Sequence, residues 1–152
     1  MYQYHKGFII REGTEGVPSD LLRELYVSVG WAGSQMPDWH NEKFEIALKT
    51  SAWAYTVWDK ERLIALVRVV SDKVMIATVQ DSIVHPDYQG KGIGSRLVEL
   101  CLQKLPHGKW FSHTTSNNYE FYRRLGFSFI PEELEATLSY NGYKKAREEG
   151  NR

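Results

Sequence analysis

Across 152 residues, 19 Lys and Arg are matched by 19 Asp and Glu. That balance supplies no global basic field, so nucleic acid is not an expected partner. Apolar residues at 42% and charged residues at 25% exclude a disordered chain, and the length predicts one domain over residues 1–152, with 141–152 as a frayed tail.

In chain order, the alternating "YHKGFIIREG" predicts a first strand ending at Gly13 and Gly16. "PSDLLRELYVSVG" predicts a helix capped by Ser19 or Asp20, with Leu21, Leu22, Leu25, Tyr26 and Val29 on one face and Gly30 as its stop. "WAGSQMPDWH" reads as a loop carrying two tryptophans, and "NEKFEIALKTS" as a second helix. "AWAYTVWD", "LIALVRVV" and "VMIATVQDSIV" follow as an antiparallel meander, with turns at Asp59–Arg62 and at Ser71, Asp72 and Lys73. After a glycine loop, Ile93, Leu97, Leu100, Cys101 and Leu105 repeat at helical spacing, up to Pro106 and Gly108. "KWFSHTT" predicts a strand, "NNYEFYRRLG" a short helix closed by Gly126, and "FSFI" another strand; "LEATLSY" fits strand or helix.

Cys101 is the single cysteine and has no internal disulfide partner. No apolar run approaches the ~20 residues that cross a bilayer, and the amino-terminal stretch lacks a signal peptide's apolar centre. The expectation is a soluble cytoplasmic protein with no membrane partner.

The segment "HPDYQGKGIGSRL" carries the chemistry. Its glycines, Gly90, Gly92 and Gly94, lie beside Lys91 and Arg96 at the start of a helix. The P-loop pattern is absent. The Rossmann pattern also fails, because its last glycine would fall at Ser95 or Leu97. What remains is a turn leading into a helix whose first amides have no internal partner and carry partial positive charge. Such a loop suits a diphosphate, or serves only tight strand-to-helix packing.

Gln89-Gly90-Lys91-Gly92-Ile93-Gly94 resembles the Gln/Arg-x-x-Gly-x-Gly/Ala signature of the GNAT acetyl-CoA-dependent N-acetyltransferases. "NNYEFYRRLGF" is similar to the same family's aromatic-Tyr-x-x-x-Gly-Phe segment, here Phe121, Tyr122, Gly126 and Phe127. The resemblance implies an α+β fold with a central mixed, mostly antiparallel sheet flanked by helices and splayed beside its central strand. It implies acetyl-CoA as cosubstrate, no metal, and transfer to an amine, in this reading that of a small molecule. Backbone groups of Ile83, Val84 and His85 would then pair with pantetheine, with the Val84 N–H polarising the acetyl carbonyl. Amides of Gln89, Gly90, Lys91, Gly92, Ile93, Gly94 and Ser95 would hold the diphosphate, and Asn118 and Tyr122 would complete the cofactor site.

A primary amine resembling lysine, with a pKa of about 10.4, is protonated near neutrality, so the reaction needs a base. The family often uses a Glu early in the central strand, where this chain has Thr78. Asp81, within the polar run Gln80-Asp81-Ser82, is the first candidate, because a carboxylate in an apolar strand needs a partner or a purpose. His113 is the second candidate, followed by His85. Tyr122 matches the tyrosine that donates toward the departing sulfur. Thr115 stands where many relatives place a pantetheine-binding Asn. Trp31, Met36 and Trp39 are the expected walls of the acceptor site, with Asp38 or Glu42 drawing in the ammonium. The competing readings are a non-catalytic acyl-CoA-binding module, a protein or peptide acetyltransferase, and a nucleic-acid binder using Lys91, Arg96, Arg123 and Arg124. A homodimer fits any of these.

Overall fold

The computed structural model describes residues 2–34, 36–114 and 116–131, and beyond them residues 138, 140, 144 and 148–150. Thr115 and most of "LEATLSY" and of the expected tail lie outside the described residues. Strands β1 (Tyr2–His5), β2 (Phe8–Glu12), β3 (Trp53–Asp59), β4 (Arg62–Ser71), β5 (Ile76–Val84) and β6 (Lys109–Ser112) form one sheet in sequential order. Every neighbouring pair is antiparallel except β5 with β6, which is parallel. A parallel neighbour cannot be reached by a tight turn, so the chain crosses over through α3 (Ile93–Leu102). Helices α1 (Ser19–Ser28) and α2 (Asp38–Lys49) join β2 to β3, and α4 (Tyr119–Arg124) follows β6.

The expected meander is present. The expected single first strand is instead a hairpin, because Lys6 (φ 49°) and Gly7 (φ 87°) both take left-handed conformations and pair His5 with Phe8 across a two-residue turn. That is the geometry matching the twist of paired strands, and the alternation of apolar residues on both sides of "KG" concealed it. Helix α1 starts at Ser19, so the cap is Pro18 rather than Ser19 or Asp20, with Leu22 N donating to the Pro18 carbonyl at 3.1 Å. Helix α2 also starts early, directly after Pro37, so Trp39 and His40 are helical rather than part of a loop. A proline just ahead of a helix fixes the entry angle without losing an intrahelical bond. "FSFI" makes no strand pairing, and α3 ends at Leu102, short of Leu105.

The core divides across the sheet. Val67, Val69, Ala77 and Val79 meet Ile93, Leu97, Val98 and Cys101 of α3 on one face. Leu66 and Ile83 meet Leu22, Leu25, Tyr26 and Leu48 of α1 and α2 on the other. Full burial of each such aliphatic side chain contributes about 1.5–3 kcal/mol, so both faces of the central strands are committed to packing. Replacing Gly7 with valine should cost about 1–2 kcal/mol in urea unfolding, because a branched residue is forced into the left-handed region. An unchanged midpoint would remove the hairpin turn from the fold's requirements.

Candidate active site

Between β4 and β5 the register shifts by one residue. Arg68 lies opposite Asp81 and Val69 opposite Val79, so Gln80 is an extra residue in β5. Because side chains alternate along a strand, an insertion reverses which face each later residue occupies. Val79 therefore joins the α3 face, whereas Asp81 turns toward α1 and α2, the face on which Ile83 is buried. Asp81 Oδ2 accepts the Tyr26 hydroxyl at 2.8 Å and Arg68 Nε at 2.5 Å. The Arg68 and Asp81 side chains retain only 15% and 14% of their exposure, and Tyr26 none. Burial, followed by the neighbouring carboxylate, holds the Tyr26 phenol well above its ordinary value, so it stays a donor to Asp81.

The β5–β6 ladder ends at Val79 opposite Ser112, while β5 continues to Val84. Past that rung the sheet is open beside β5. His85 N donates to the Ile64 carbonyl of β4 at 2.8 Å. By alternation Ile83 faces β4 as well, and the Val84 backbone faces the opening. There the Val84 carbonyl accepts Gln89 Nε2 at 3.0 Å. Of Ile83, Val84 and His85, Val84 is thus the residue whose N–H points into the gap. The His85 ring is engaged in the turn itself: Nδ1 accepts the Asp87 N–H at 3.1 Å, and Arg62 Nη2 lies 3.0 Å from Nε2.

Gly90 (φ 78°) and Gly92 (φ 77°) are left-handed, and Gly92 caps α3 with no side-chain hydrogen bond. Arg96 N is the first amide bonded back to Gly92, at 3.1 Å, leaving Ile93, Gly94 and Ser95 N–H at the open helix end. A Cβ at Gly94 would stand 3.4 Å from the Phe121 ring and 3.6 Å from Val84 Cγ2. The loop therefore packs against both the β5 edge and α4, with Gln89, Gly90, Lys91 and Gly92 exposed. Exposed amides, positive backbone dihedrals and the absence of side chains fit an anionic diphosphate.

Tyr122 is half-buried on α4, edge-on to Phe121 at 5.0 Å and to Phe127 at 5.3 Å. Burial raises its phenol, and the Ser112 hydroxyl partly offsets that rise. The phenol is consequently protonated through the neutral range and able to donate. Exposed His113 shares with Tyr122 a cavity of about 910 Å³ between β6, α4 and residues 127–131. This cavity flanks β6 and does not include the β5 edge or the glycine loop. Asn118 is exposed at the cap of α4, with no side-chain cap bond.

Residues 51–129 match the family described as "Acetyltransferase (GNAT) domain". The chain belongs to the GNAT acetyltransferase family. This GNAT protein is accordingly an acyltransferase, and its family uses acetyl-CoA as cosubstrate. It resembles the GNAT family acetyltransferase SP0256 of Streptococcus pneumoniae TIGR4, with a TM-score of 0.73 and 30% identity over 88% of this chain and 96% of that one. Histone acetyltransferase TAP1 of Glycine max is 36% identical over 54% of this chain and 37% of its own length. Serotonin N-acetyltransferase 2, chloroplastic, of Oryza sativa is 29% identical over 89% of this chain and 68% of its own.

Beside α1 and α2, Trp31 is 41% exposed and lies 6.2 Å from the Tyr26 ring, which stacks on Phe44 at 4.0 Å. Trp39 and Met36 are half-buried, and Lys43 Nζ lies 4.9 Å from the Trp39 ring centroid. Asp38 is exposed at the first turn of α2, and Glu42 lies on the same helix. Trp31 and Phe44 lie against Tyr26, which sequence reasoning assigned only to a helix face, whereas Trp39 packs edge-on to His40 at 6.0 Å. Arg68 was also missed, although a lone arginine inside "LIALVRVV" is itself a signal for a paired charge. The hairpin turn is a third omission: a Cβ at Gly92 would stand 3.7 Å from Lys6 Nζ and 3.8 Å from His5 Nε2, so two amino-terminal side chains reach the glycine loop. Among the described residues no cluster of His, Cys, Asp and Glu could hold a metal ion, and no helix is long and apolar enough to cross a membrane.

Arg68→Leu should destabilise the protein by about 3–5 kcal/mol, because Asp81 is left charged without its cation. Arg68→Leu/Asp81→Leu should recover much of that loss in the same urea titration; an equally large loss would mean packing, not charge pairing, governs the site. Since the folded state keeps the Tyr26 proton that the unfolded state releases above pH about 10, stability should fall as pH rises beyond that point. Tyr26→Phe should fall less steeply, and an identical alkaline slope would contradict the assignment.

Proposed function

We propose that the enzyme transfers the acetyl group of acetyl-CoA to the primary amine of a small molecule, by direct attack in a ternary complex. The observation that carries this reading is the early end of the β5–β6 ladder directly above the glycine loop. An extended pantetheine arm fits the opened edge of β5, with its diphosphate on the amides of Gln89 to Ser95. The thioester supplies the activated acetyl group. The Val84 N–H, turned into the gap, polarises its carbonyl. Tyr122 donates to the departing sulfur; a phenol near 10 is a weaker acid than a thiol near about 8.5, so stabilising the developing thiolate matters more than full proton transfer.

Asp81 and His113 compete for the amine's proton. Both Tyr26 and Arg68 already donate to Asp81 Oδ2, so this carboxylate is engaged as an anchor for the bulge. His113, exposed beside Tyr122, is the stronger candidate for base. Trp31, Met36 and Trp39 form the wall against which the acceptor's carbon skeleton rests. Peptidyl lysine is the second reading of the acceptor, supported by the likeness to the soybean protein named as a histone acetyltransferase. The cytoplasm expected from the sequence competes with the plastid, the compartment in the rice relative's name.

Calorimetry with acetyl-CoA, coenzyme A and NAD should give one-to-one binding of the first two and none of the third. Gly92→Glu should abolish that binding, since it sets a carboxylate against the loop amides; native affinity would refute the diphosphate site. Tyr122→Phe should bind normally and lose at least tenfold in turnover when thiol release is followed over a panel of small amines and a lysine peptide. The thiol reagent will not report the enzyme itself, because Cys101 is buried and its thiol is pushed up to about 12. Under the same assay the acidic limb of the pH–rate profile should vanish in His113→Ala and survive in Asp81→Asn; the reverse pattern would return the base to Asp81.

A further inference from the structure

The β1–β2 hairpin is fastened over the start of α3. Phe8 and Ile10 of β2 pack in the same core layer as Ile93 and Leu97, and the Phe8 ring meets Tyr88 edge-on at 5.5 Å. Polar contacts complete the attachment: Arg96 Nη2 donates to Gln3 Oε1 at 3.2 Å, and His5 Nε2 lies 3.4 Å from the Lys91 carbonyl. Next to His5 the turn carries Lys6, whose Nζ stands 3.7 Å from the position a Cβ would take at Gly92, the cap of α3.

Positive charge converges there without an answer. The unpartnered amides of Ile93, Gly94 and Ser95 make this the positive end of the α3 dipole, and Lys91 adds a second ammonium from the loop itself. Helix α3 has no acidic residue in its first turn, and among the described residues no carboxylate pairs with Lys6 or Lys91. Arg96, by contrast, is taken up by Gln3 and by Glu99 Oε2 at 3.8 Å. An ammonium held against a positive helix end is repelled by it. An anion between the two turns the same contacts attractive.

We propose that Lys6 is a cofactor-binding residue: its ammonium pairs with the diphosphate of coenzyme A, closing from the hairpin side an anion site whose other wall is the amides of the glycine loop. This rests on the placement of that diphosphate on Gln89 to Ser95. The loop amides come from one continuous segment, whereas Lys6 arrives from the opposite end of the strand order.

The test needs no acceptor amine. Coenzyme A and its dephospho form, which keeps the diphosphate and lacks the 3′-phosphate, are titrated by calorimetry into the full chain, Lys6→Met, Lys6→Arg and Gly92→Glu. Methionine keeps an unbranched side chain at the turn and removes only the charge. Lys6→Met should bind both ligands roughly tenfold more weakly, the scale of one charge-assisted contact, and Lys6→Arg should bind them as the parent does. The gap between parent and Lys6→Met should narrow as salt rises from about 0.05 to 0.5 M. Parent-like affinity in Lys6→Met, with Gly92→Glu inactive in binding, overturns the inference and leaves the glycine loop standing. A loss seen with coenzyme A and not with its dephospho form assigns the lysine to the 3′-phosphate and overturns the diphosphate pairing. An equal loss in Lys6→Arg makes the defect one of the turn's shape, which also overturns it. Native affinity in Gly92→Glu removes the diphosphate site and Lys6 with it.

Discussion

One inserted residue governs the chemistry of this sheet. Without Gln80 as an extra residue in β5, Val79, Asp81 and Ile83 would share a face, and a carboxylate would enter the apolar layer beneath α3. With it, the strand exchanges faces midway. Val79 stays with Leu97 and Val98, while Asp81 reaches Arg68 and Tyr26 on the helix-pair side. The ion pair makes the inversion tolerable, and the inversion gives the pair its place. A bulge also increases local twist. It occurs beside the rung at which β6 ceases to follow β5, so the separation of those strands and the switch of faces belong to one stretch of backbone.

That arrangement puts three demands on neighbouring residues. The exit of β5 needs a turn, which His85 and the Pro86–Tyr88 segment supply. The start of α3 needs left-handed backbone at Gly90 and Gly92, which glycine adopts without strain. The α1–α2 pair needs a polar group at depth, which Tyr26 supplies while its ring stacks on Phe44. The open edge of β5 and the α1–α2 pair are thus joined through a single carboxylate. A substitution that loosens Asp81 acts on both.

The meander, both major helix patterns and the two family-like segments were legible because each rests on local spacing: strand alternation, helical repetition and glycine at fixed offsets. The hairpin at Lys6-Gly7 was not, since lysine is an unusual residue at a left-handed turn position and the alternation of apolar residues continues on both sides of it. The early start of α2 was hidden by Met36, Pro37 and Trp39, which read as loop until the proline is taken as an entry signal. Asp81 attracted notice for the right reason, a charge in an apolar strand, but its partners come from α1 and β4. No sequence window contains that triad.

The parallel pairing of β6 has a kinetic consequence. Strand order follows chain order, but two pairs close only across helices: β3 meets β2 past α1 and α2, and β6 meets β5 past the crossover through α3. Among the described residues, the four of β6 pair only with β5, as the four of β1 pair only with β2, so both edges of the sheet are held by short ladders. Trp110 of β6 and Phe121, Leu125 and Phe127 at α4 pack against the core on the α3 face, so opening of the β6 edge also loosens part of that core. Completion of the sheet therefore waits on the strand that also bounds the opening beside β5.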